Sequence, residues 1–437
     1  MDIAGSLYPT GRIGTTNYIL TPENIVNDMI NMLPDDFWTP DIKVLDIFSK
    51  SGRFLMAAYK KLFNSPYLAD MDIAKRKHHI LNEQLYGITD DFTCLMLAES
   101  SLYGYAQYGK KNIRMIEDLQ SIVKTTDKKL VAERLGKELG GQMEFDLVIG
   151  NPPYNKGADI DFVFLGCELS SKYVCMITPA KWQTAEANQR IVSKMSYGEF
   201  RQQLVPHMRY VCFYPNCSDV FLISQDDGIS WYLLDKEFIG DCTVENKCKH
   251  QQYFNNVRSR DISNGETLNN IGAEIVKHLR KINTTIYKQQ YRLYNKKYSV
   301  VANNKYNIER GIEGQYQAYG MISYKTGKMS VVCNPRVIST KDKEAELTTA
   351  DSIVYESDRK EECESFISWV NTKMVRFLVS LNISRISPVF CDYAWRFVPA
   401  PPSGKFDHIY TDEELYKEFN LPQKYIDVIE SVIKERK

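Results

Sequence analysis

One stretch constrains this chain more than any other: Phe145-Asp146-Leu147-Val148-Ile149-Gly150 runs directly into Asn151-Pro152-Pro153-Tyr154. The first six residues, mostly apolar, read as a strand buried on both faces, as in a parallel sheet. Two prolines lack N–H donors and fix φ, so the sheet cannot continue through them. The carbonyls of the loop are then left at the C-terminal edge of the strands, where ligands bind in open α/β sheets. An Asn side-chain oxygen beside a prolyl carbonyl offers two acceptors in fixed positions, which suits an amino group with two hydrogens to donate. Tyr154 adds a flat face on which a planar ring can stack. A plainer reading has Pro-Pro end the strand and Tyr154 pack on the core. The quality of the strand and the flanking Asn and Tyr favour the functional one.

The rest of the first half alternates strands with helices. Thr21 reads as an N-cap, Pro22 as the first helical residue and Glu23 as a charge suited to the helix N-terminus, with Ile25, Met29 and Leu33 at helical spacing. Ile42 to Ile47 reads as a short buried strand, followed by Phe48-Ser49-Lys50-Ser51-Gly52 and a helix from about Phe54 to Leu62. Further strands are expected at Gln84–Ile88, Asn112–Ile116 and Tyr173–Ile177. One helix is expected through Leu95, Leu97 and Leu102, and a charged surface helix from Thr126 to Glu138. This alternation predicts an α/β fold with a mostly parallel sheet covered on both faces. After about residue 240 the rhythm gives way to short Tyr- and Asn-rich segments.

A chain of 437 residues suggests two or three domains. It holds no apolar run of about 18 residues, so no membrane span is expected. Its N-terminus lacks the charged-then-apolar design of a signal peptide, and ten cysteines are sparse, so reduced thiols in a cytoplasmic setting are expected. Cys212, Cys217, Cys242, Cys248 and His250 show no paired Cys-x-x-Cys, so buried thiols are favoured over a metal site. Neither a Gly-x4-Gly-Lys-Ser/Thr loop nor a nuclease motif is found, so any cleaving partner would be a separate protein. Total charge balances at 55 Lys and Arg against 55 Asp and Glu, but from Lys247 to Lys343 there are 18 basic and 6 acidic residues with nine tyrosines. Such a window suits a polyanion such as nucleic acid, or a Tyr-rich β-domain with a solvated basic face. Composition leaves the two even.

Asn151-Pro152-Pro153-Tyr154 resembles the catalytic motif of S-adenosylmethionine-dependent methyltransferases that modify exocyclic or side-chain amide nitrogens. From roughly Gly11 to Leu234 the motif order is similar to that of gamma-class DNA adenine-N6 methyltransferases from restriction–modification systems. The resemblance implies an α/β, Rossmann-like class I methyltransferase sheet with a C-terminal, mixed α+β target-recognition domain. The boundaries would be 1–240 for the catalytic domain, 241–400 for the recognition domain and 401–437 for a helical tail.

Residue by residue, the resemblance makes Asn151, Pro152, Pro153 and Tyr154 catalytic. Tyr18 to Pro22 is similar to an N-terminal cofactor motif, with Tyr18 and Thr21 as its candidates. Val44 to Leu55 resembles Asp-Pro-Phe-x-Gly-x-Gly-x-Phe-Leu. There Asp46 would take the ammonium of the cofactor's methionine, Phe48 would line the site and Gly52 would let the backbone approach. Ile47 and Lys50 replace the pattern's Pro and first Gly, and a Cβ at Lys50 penalises positive φ. Asp46 could otherwise cap the following helix. Tyr86 to Asp91 resembles the ribose-binding motif, but the acid aligns with Thr89, so Asp90 or Asp91 must serve. Asp118, with Glu117 as alternative, would accept from the cofactor's adenine amino group. Phe164 or Phe162 would stack on that adenine, unless it is plain core. Thr178 to Trp182 also looks like the family. Phe221 would hold the flipped target base against Tyr154, or be core.

Implied with this is methyl transfer from S-adenosyl-L-methionine to adenine N6 in double-stranded DNA, the Lys and Arg of the recognition domain holding phosphates. An RNA or protein-glutamine methyltransferase shares the same logic. Lys50 and Thr89 would support a third reading, a non-catalytic DNA-binding subunit with a decayed cofactor site. Near the C-terminus, Ser387–Phe390 and Trp395–Pro399 look like a closing strand, Thr411 caps a helix, and a last helix from Pro422 has Ile426, Ile429 and Ile433 on one face.

Overall fold

Short apolar strands separated by amphipathic helices assemble here into one large sheet. A computed structural model describes residues 3–13, 18–104, 112–142, 144–154, 157–185, 195–223, 228–249, 254–282, 292–294, 315–320, 336–339, 352–382 and 396–433. The chain forms two compact units, the first from residues 1–182, 186–249 and 257–265, the second from 183–185, 250–256 and 266–437.

The sheet of the first unit contains β1 (Val44–Asp46), β2 (Leu85–Thr89), β3 (Ile113–Met115), β4 (Phe145–Gly150), β5 (Ser170–Pro179), β6 (Met208–Tyr214), β7 (Ile229–Asp235), β8 (Cys242–Asn246) and β9 (Asn256–Arg260). Their order is β3-β2-β1-β4-β5-β7-β6-β8-β9. β1 pairs in parallel with β2 and β4, β2 with β3, and β4 with β5, while β7 runs antiparallel to β5 and β6. The winding reverses between β1 and β4, which opens a crevice at the carboxyl ends of those strands. The expected Rossmann-like sheet is therefore present.

Alternation along the strands explains how the layers form. Leu147 and Ile149 of β4 and Tyr173, Cys175 and Ile177 of β5 share one core with the inward faces of the helices Glu23–Asn31 and Arg53–Phe63. The intervening residues Val148, Val174 and Met176 face the helix Ala158–Leu169, where the Gly166 backbone comes so close that a Cβ would lie 3.1 Å from Met176. Strands with both faces covered need apolar residues at every position, which is why β2 and β7 are buried throughout.

Several boundaries depart from expectation. The helix after Thr21 starts at Glu23 with Pro22 in the capping position, so Thr21 does not cap it. β8 pairs in parallel with β6, which carries the first unit past the expected boundary at 240. The tail from 401 is not a separate segment. Asp412 accepts from the backbone N–H groups of Lys373 and Met374 at 2.9 and 3.0 Å, tying the helix Asp412–Glu418 into the second unit. Thr411 caps that helix as expected, through Glu414 N–H at 3.2 Å. The last helix, Gln423–Val432, buries Tyr425, Val428 and Ile429, with Ile426 only half-buried.

The second unit contains an antiparallel sheet of β10 (Arg292–Tyr294), β11 (Tyr316–Gly320), β12 (Arg336–Ser339) and β13 (Ser352–Ser357), in the order β10-β13-β11-β12. Tyr355 of β13 stacks on Phe366 of the helix Lys360–Asn371, with ring centroids 4.8 Å apart. Most of the basic, Tyr-rich window, together with Ser387–Phe390 and Trp395, lies outside the described residues.

Candidate active site

The crevice is built first by the loop after β1. Ile47 N–H donates to the Ile149 carbonyl at 3.0 Å and Ser49 N–H to the Ile88 carbonyl at 2.7 Å, so the loop is pinned to the strands on either side. Gly52 has φ +73°, and a Cβ there would lie 3.1 Å from Ala98 Cα and 3.2 Å from its carbonyl oxygen, so glycine is required by both space and conformation. Lys50 is not strained. Among the described residues, the non-glycine positions with positive φ are Asp118 and Asn420.

Asp46 closes β1 and is 1% exposed. It accepts from Phe48 N–H at 3.3 Å and has no ion pair among the described residues. Burial pushes its carboxyl up to about 7, against the opposing pull of the Ser49 hydroxyl, the Phe48 N–H and the Lys50 cation. It is not a helix cap, because Gly52 occupies that position without a side-chain bond. Asp46 is thus a buried acid with acceptor capacity to spare.

Asn151, 3% exposed, follows β4 directly. Its Nδ2 donates to Thr21 Oγ1 at 3.0 Å, and its Oδ1 accepts from the Tyr154 hydroxyl at 2.6 Å. Thr21 is fixed in turn, since Arg53 Nη1 donates to its carbonyl at 2.7 Å and Lys50 Nζ to the Ile19 carbonyl at 3.2 Å. Thr21, expected at the cofactor, therefore holds the asparagine. No signal in the sequence links two residues 130 positions apart. Asn151, Pro152, Tyr154, Phe221, Lys50 and Tyr18 line a common cavity of about 120 Å³. Phe221 reaches it from the short turn at Cys217–Asp219, its N–H bonded to the Cys217 carbonyl at 2.8 Å.

The remaining acids stand at the ends of β2 and β3. Thr89 is buried, and Asp91 caps the helix Phe92–Tyr103 through Cys94 N–H at 2.8 Å. That leaves Asp90, which accepts from the Tyr18 hydroxyl and from Gln120 Nε2, each at 2.8 Å. Burial and Asp90 together keep the Tyr18 hydroxyl protonated. Gln120 was not among the sequence candidates. Asp118 begins the helix Leu119–Val123 in the left-handed region, φ 56°, exposed and without a cap bond. A non-glycine residue held there is strained, which marks it as a position set by more than local preference.

Two aromatics separate. Phe162 packs edge-on against Phe48 at 5.5 Å, and Phe48 against Tyr18 at 5.5 Å. Phe164 is instead a buried residue against Phe200 at 5.9 Å, two positions further round the same helix. Both rings are buried, Phe162 at 0% and Phe164 at 7% exposure, and Phe162 is the one beside the β1 loop. In the Thr178–Trp182 stretch, Trp182 Nε1 donates to Ser230 Oγ at 3.2 Å within the core.

Known proteins match parts of this chain. Residues 83–204 match the model of a family described as Eco57I restriction-modification methylase. This part of the chain is similar to that family. The span contains Asn151 to Tyr154, so the family resemblance of the motif is borne out. Over 60 residues the chain is 42% identical to an "Uncharacterized adenine-specific methylase" of Mycoplasma pneumoniae, covering 11% of this chain and 14% of that protein. The chain thus spans a small part of that relative's length. Among solved structures, the ATP-dependent Type ISP restriction-modification enzyme LlaBIII bound to DNA is 13% identical, with a TM-score of 0.39, over 56% of this chain and 21% of its own. The type I restriction enzyme EcoKI M protein is 15% identical, with a TM-score of 0.38, over 52% of this chain and 48% of its own.

Proposed function

We propose that this chain is a site-specific DNA methyltransferase that transfers a methyl group from S-adenosyl-L-methionine to the N6 amino group of an adenine flipped out of double-stranded DNA. Its setting would be restriction–modification. The observation that carries the reading is one cavity shared by Asn151, Pro152, Tyr154 and Phe221.

An adenine inside a duplex cannot present its amino group, so it must leave the stack at a cost of a few kcal/mol. Tyr154 and Phe221 supply aromatic faces, each stacked base being worth about 1–3 kcal/mol. Asn151 Oδ1 and the Pro152 carbonyl would accept the two amino hydrogens, which draws the nitrogen lone pair out of conjugation with the ring. When bound, the cofactor supplies an electrophilic methyl on its sulfonium. The transfer then needs alignment and preorganised acceptors more than proton chemistry. The residues fit the cofactor: Asp46 is a buried acid with capacity for an ammonium, and Gly52 lets the loop after it pack closely against Ala98. Asp46 would hold that ammonium, Asp90 the ribose hydroxyls and Asp118 the adenine amino group, with Phe162 nearest to Phe48. Lys and Arg of the second unit would hold phosphates, so binding should weaken steeply with salt.

The test offers purified protein radiolabelled S-adenosylmethionine with unmethylated genomic DNA, total RNA and cell-extract protein in parallel. Label recovered as N6-methyladenine from DNA is the expected result. Label in RNA or protein alone overturns the substrate, and no label with no cofactor binding overturns the enzyme.

A further inference from the structure

Lys50 stands where the methyltransferase pattern has a glycine, yet the turn does not need it for backbone reasons, since the left-handed residue of the loop is Gly52. Its side chain lines the same cavity as Asn151 and Tyr154. There Nζ donates to the Ile19 carbonyl at 3.2 Å and lies 5.9 Å from the centre of the Phe48 ring. An ammonium has three N–H donors, and Ile19 is its one hydrogen-bond acceptor among the described residues, so two donors remain. Asp46 and Asp90 both act on this cation electrostatically, and Lys50 acts back on Asp46. A half-buried cation lining this cavity and a buried acid at the end of β1 thus stand four residues apart without being bonded to each other.

Resting on the reading of this crevice as a cofactor site, we propose that Lys50 is a specificity residue that binds the α-carboxylate of the cofactor's methionine moiety while Asp46 binds its α-ammonium. The amino-acid end of the cofactor is a zwitterion, and a carboxylate and an ammonium four residues apart on one pinned loop are its complement. The sulfonium adds a further positive charge to the ligand. A ligand that keeps ammonium and sulfonium but lacks the carboxylate would bring two cations toward a third with nothing to offset them. Lys50 thus both attracts the complete cofactor and repels the decarboxylated one, the pairing of gain and penalty on which specificity rests. Burial pushes the Lys50 ammonium down to about 8, so the cation is retained at neutral pH while being poorly hydrated, and an anionic ligand group would relieve it.

Calorimetry on the full chain with S-adenosylmethionine, S-adenosylhomocysteine and decarboxylated S-adenosylmethionine tests this without any turnover. The wild type should bind the decarboxylated compound about 10- to 150-fold more weakly than S-adenosylmethionine, the range for losing one charge-assisted hydrogen bond. In Lys50→Met, checked for folding by its thermal melt, that ratio should fall to near unity, while Lys50→Arg should keep most of it. A ratio unchanged in Lys50→Met overturns the assignment while leaving the cofactor site intact. So does a wild type that binds both compounds equally, which decides the matter even if the Met variant fails to fold. A folded wild type that binds none of the three ligands overturns the cofactor reading itself.

Discussion

Replacing Thr21 with valine tests whether Asn151, in its proposed catalytic role, is positioned from outside its own loop. Valine keeps nearly the same shape and removes the hydroxyl that accepts from Asn151 Nδ2 at 3.0 Å. Thr21 is 5% exposed and Asn151 3%, so water has little access to replace that acceptor. A buried donor left unpaired costs about 1–3 kcal/mol. The amide can relieve that cost by turning over, but it then shows a donor to an amino group that needs an acceptor. If the whole cost falls on the transition state, at about 1.4 kcal/mol per tenfold, methyl transfer slows by roughly 5- to 150-fold. Single-turnover transfer of labelled methyl to unmethylated genomic DNA measures the rate, and calorimetry measures cofactor affinity separately. Thr21→Ser should restore most of the rate because it keeps the hydroxyl. A valine variant with an unchanged rate and weakened cofactor affinity would refute the reasoning and return Thr21 to the cofactor.

Other consequences follow from the same geometry. Asn151→Ala should lower kcat by about 100-fold or more, the scale for one preorganised hydrogen-bonding group, with cofactor affinity by calorimetry unchanged; wild-type-like rates would contradict its role. Tyr154→Phe should turn over, since the hydroxyl is bonded to the oxygen that the substrate would use, whereas Tyr154→Ala should lose stacking worth about 1–3 kcal/mol, visible as weaker DNA binding. Asp46 has its carboxyl raised from 3.8 to about 7, so between those values the folded chain holds a proton that the unfolded chain has released, and ligand-free stability falls as pH rises through that window. Asp46→Asn should therefore raise the melting temperature of the ligand-free protein at pH 8, by at most about 4 kcal/mol of stability, while cofactor binding weakens; a lower melting temperature would count against a strained, functional acid. Lys128 and Asp161 form a buried pair at 2.8 Å between two helices of the first unit, and Lys128→Met alone should cost about 3–5 kcal/mol by denaturant titration, largely recovered when Asp161 is also made apolar.

What the sequence disclosed and what it hid divide along the distance between interacting residues. Local patterns announced β4 and the Asn-Pro-Pro-Tyr loop, because a doubly buried strand has no polar alternation to blur it and two prolines can end it only one way. The helix Arg53–Phe63 and the Thr411 cap were legible for the same reason, since each is specified within one or two turns. β8 went unread because its five residues, Cys-Thr-Val-Glu-Asn, hold one β-branched apolar side chain and too little alternation to announce a strand, whose place beside β6 is set by pairing across the chain. Phe162 and Phe164 were indistinguishable because both lie in a helix buried nearly all round, where apolar periodicity vanishes and only tertiary packing says which ring faces which neighbour.

The most instructive case is Thr21. A Thr-Pro pair before an amphipathic run has every local mark of a helix start, and the helix does start there, one residue later than the cap rule suggests. The hydroxyl is drawn away by Asn151 because a buried carboxamide without partners costs more than a helix N-terminus that water can still reach. Lys50, on the loop that follows β1, and Arg53, at the start of the next helix, hold the backbone of that segment in reach of β4. The departure that most suggested a decayed site, lysine for glycine, thus sits on an unstrained backbone and fastens the N-terminal segment to the crevice that holds Asn151. A decayed site would be expected to lose such ties. Here Thr21, Lys50, Arg53 and Asn151 support one another, and that mutual support is the strongest structural argument against the non-catalytic reading.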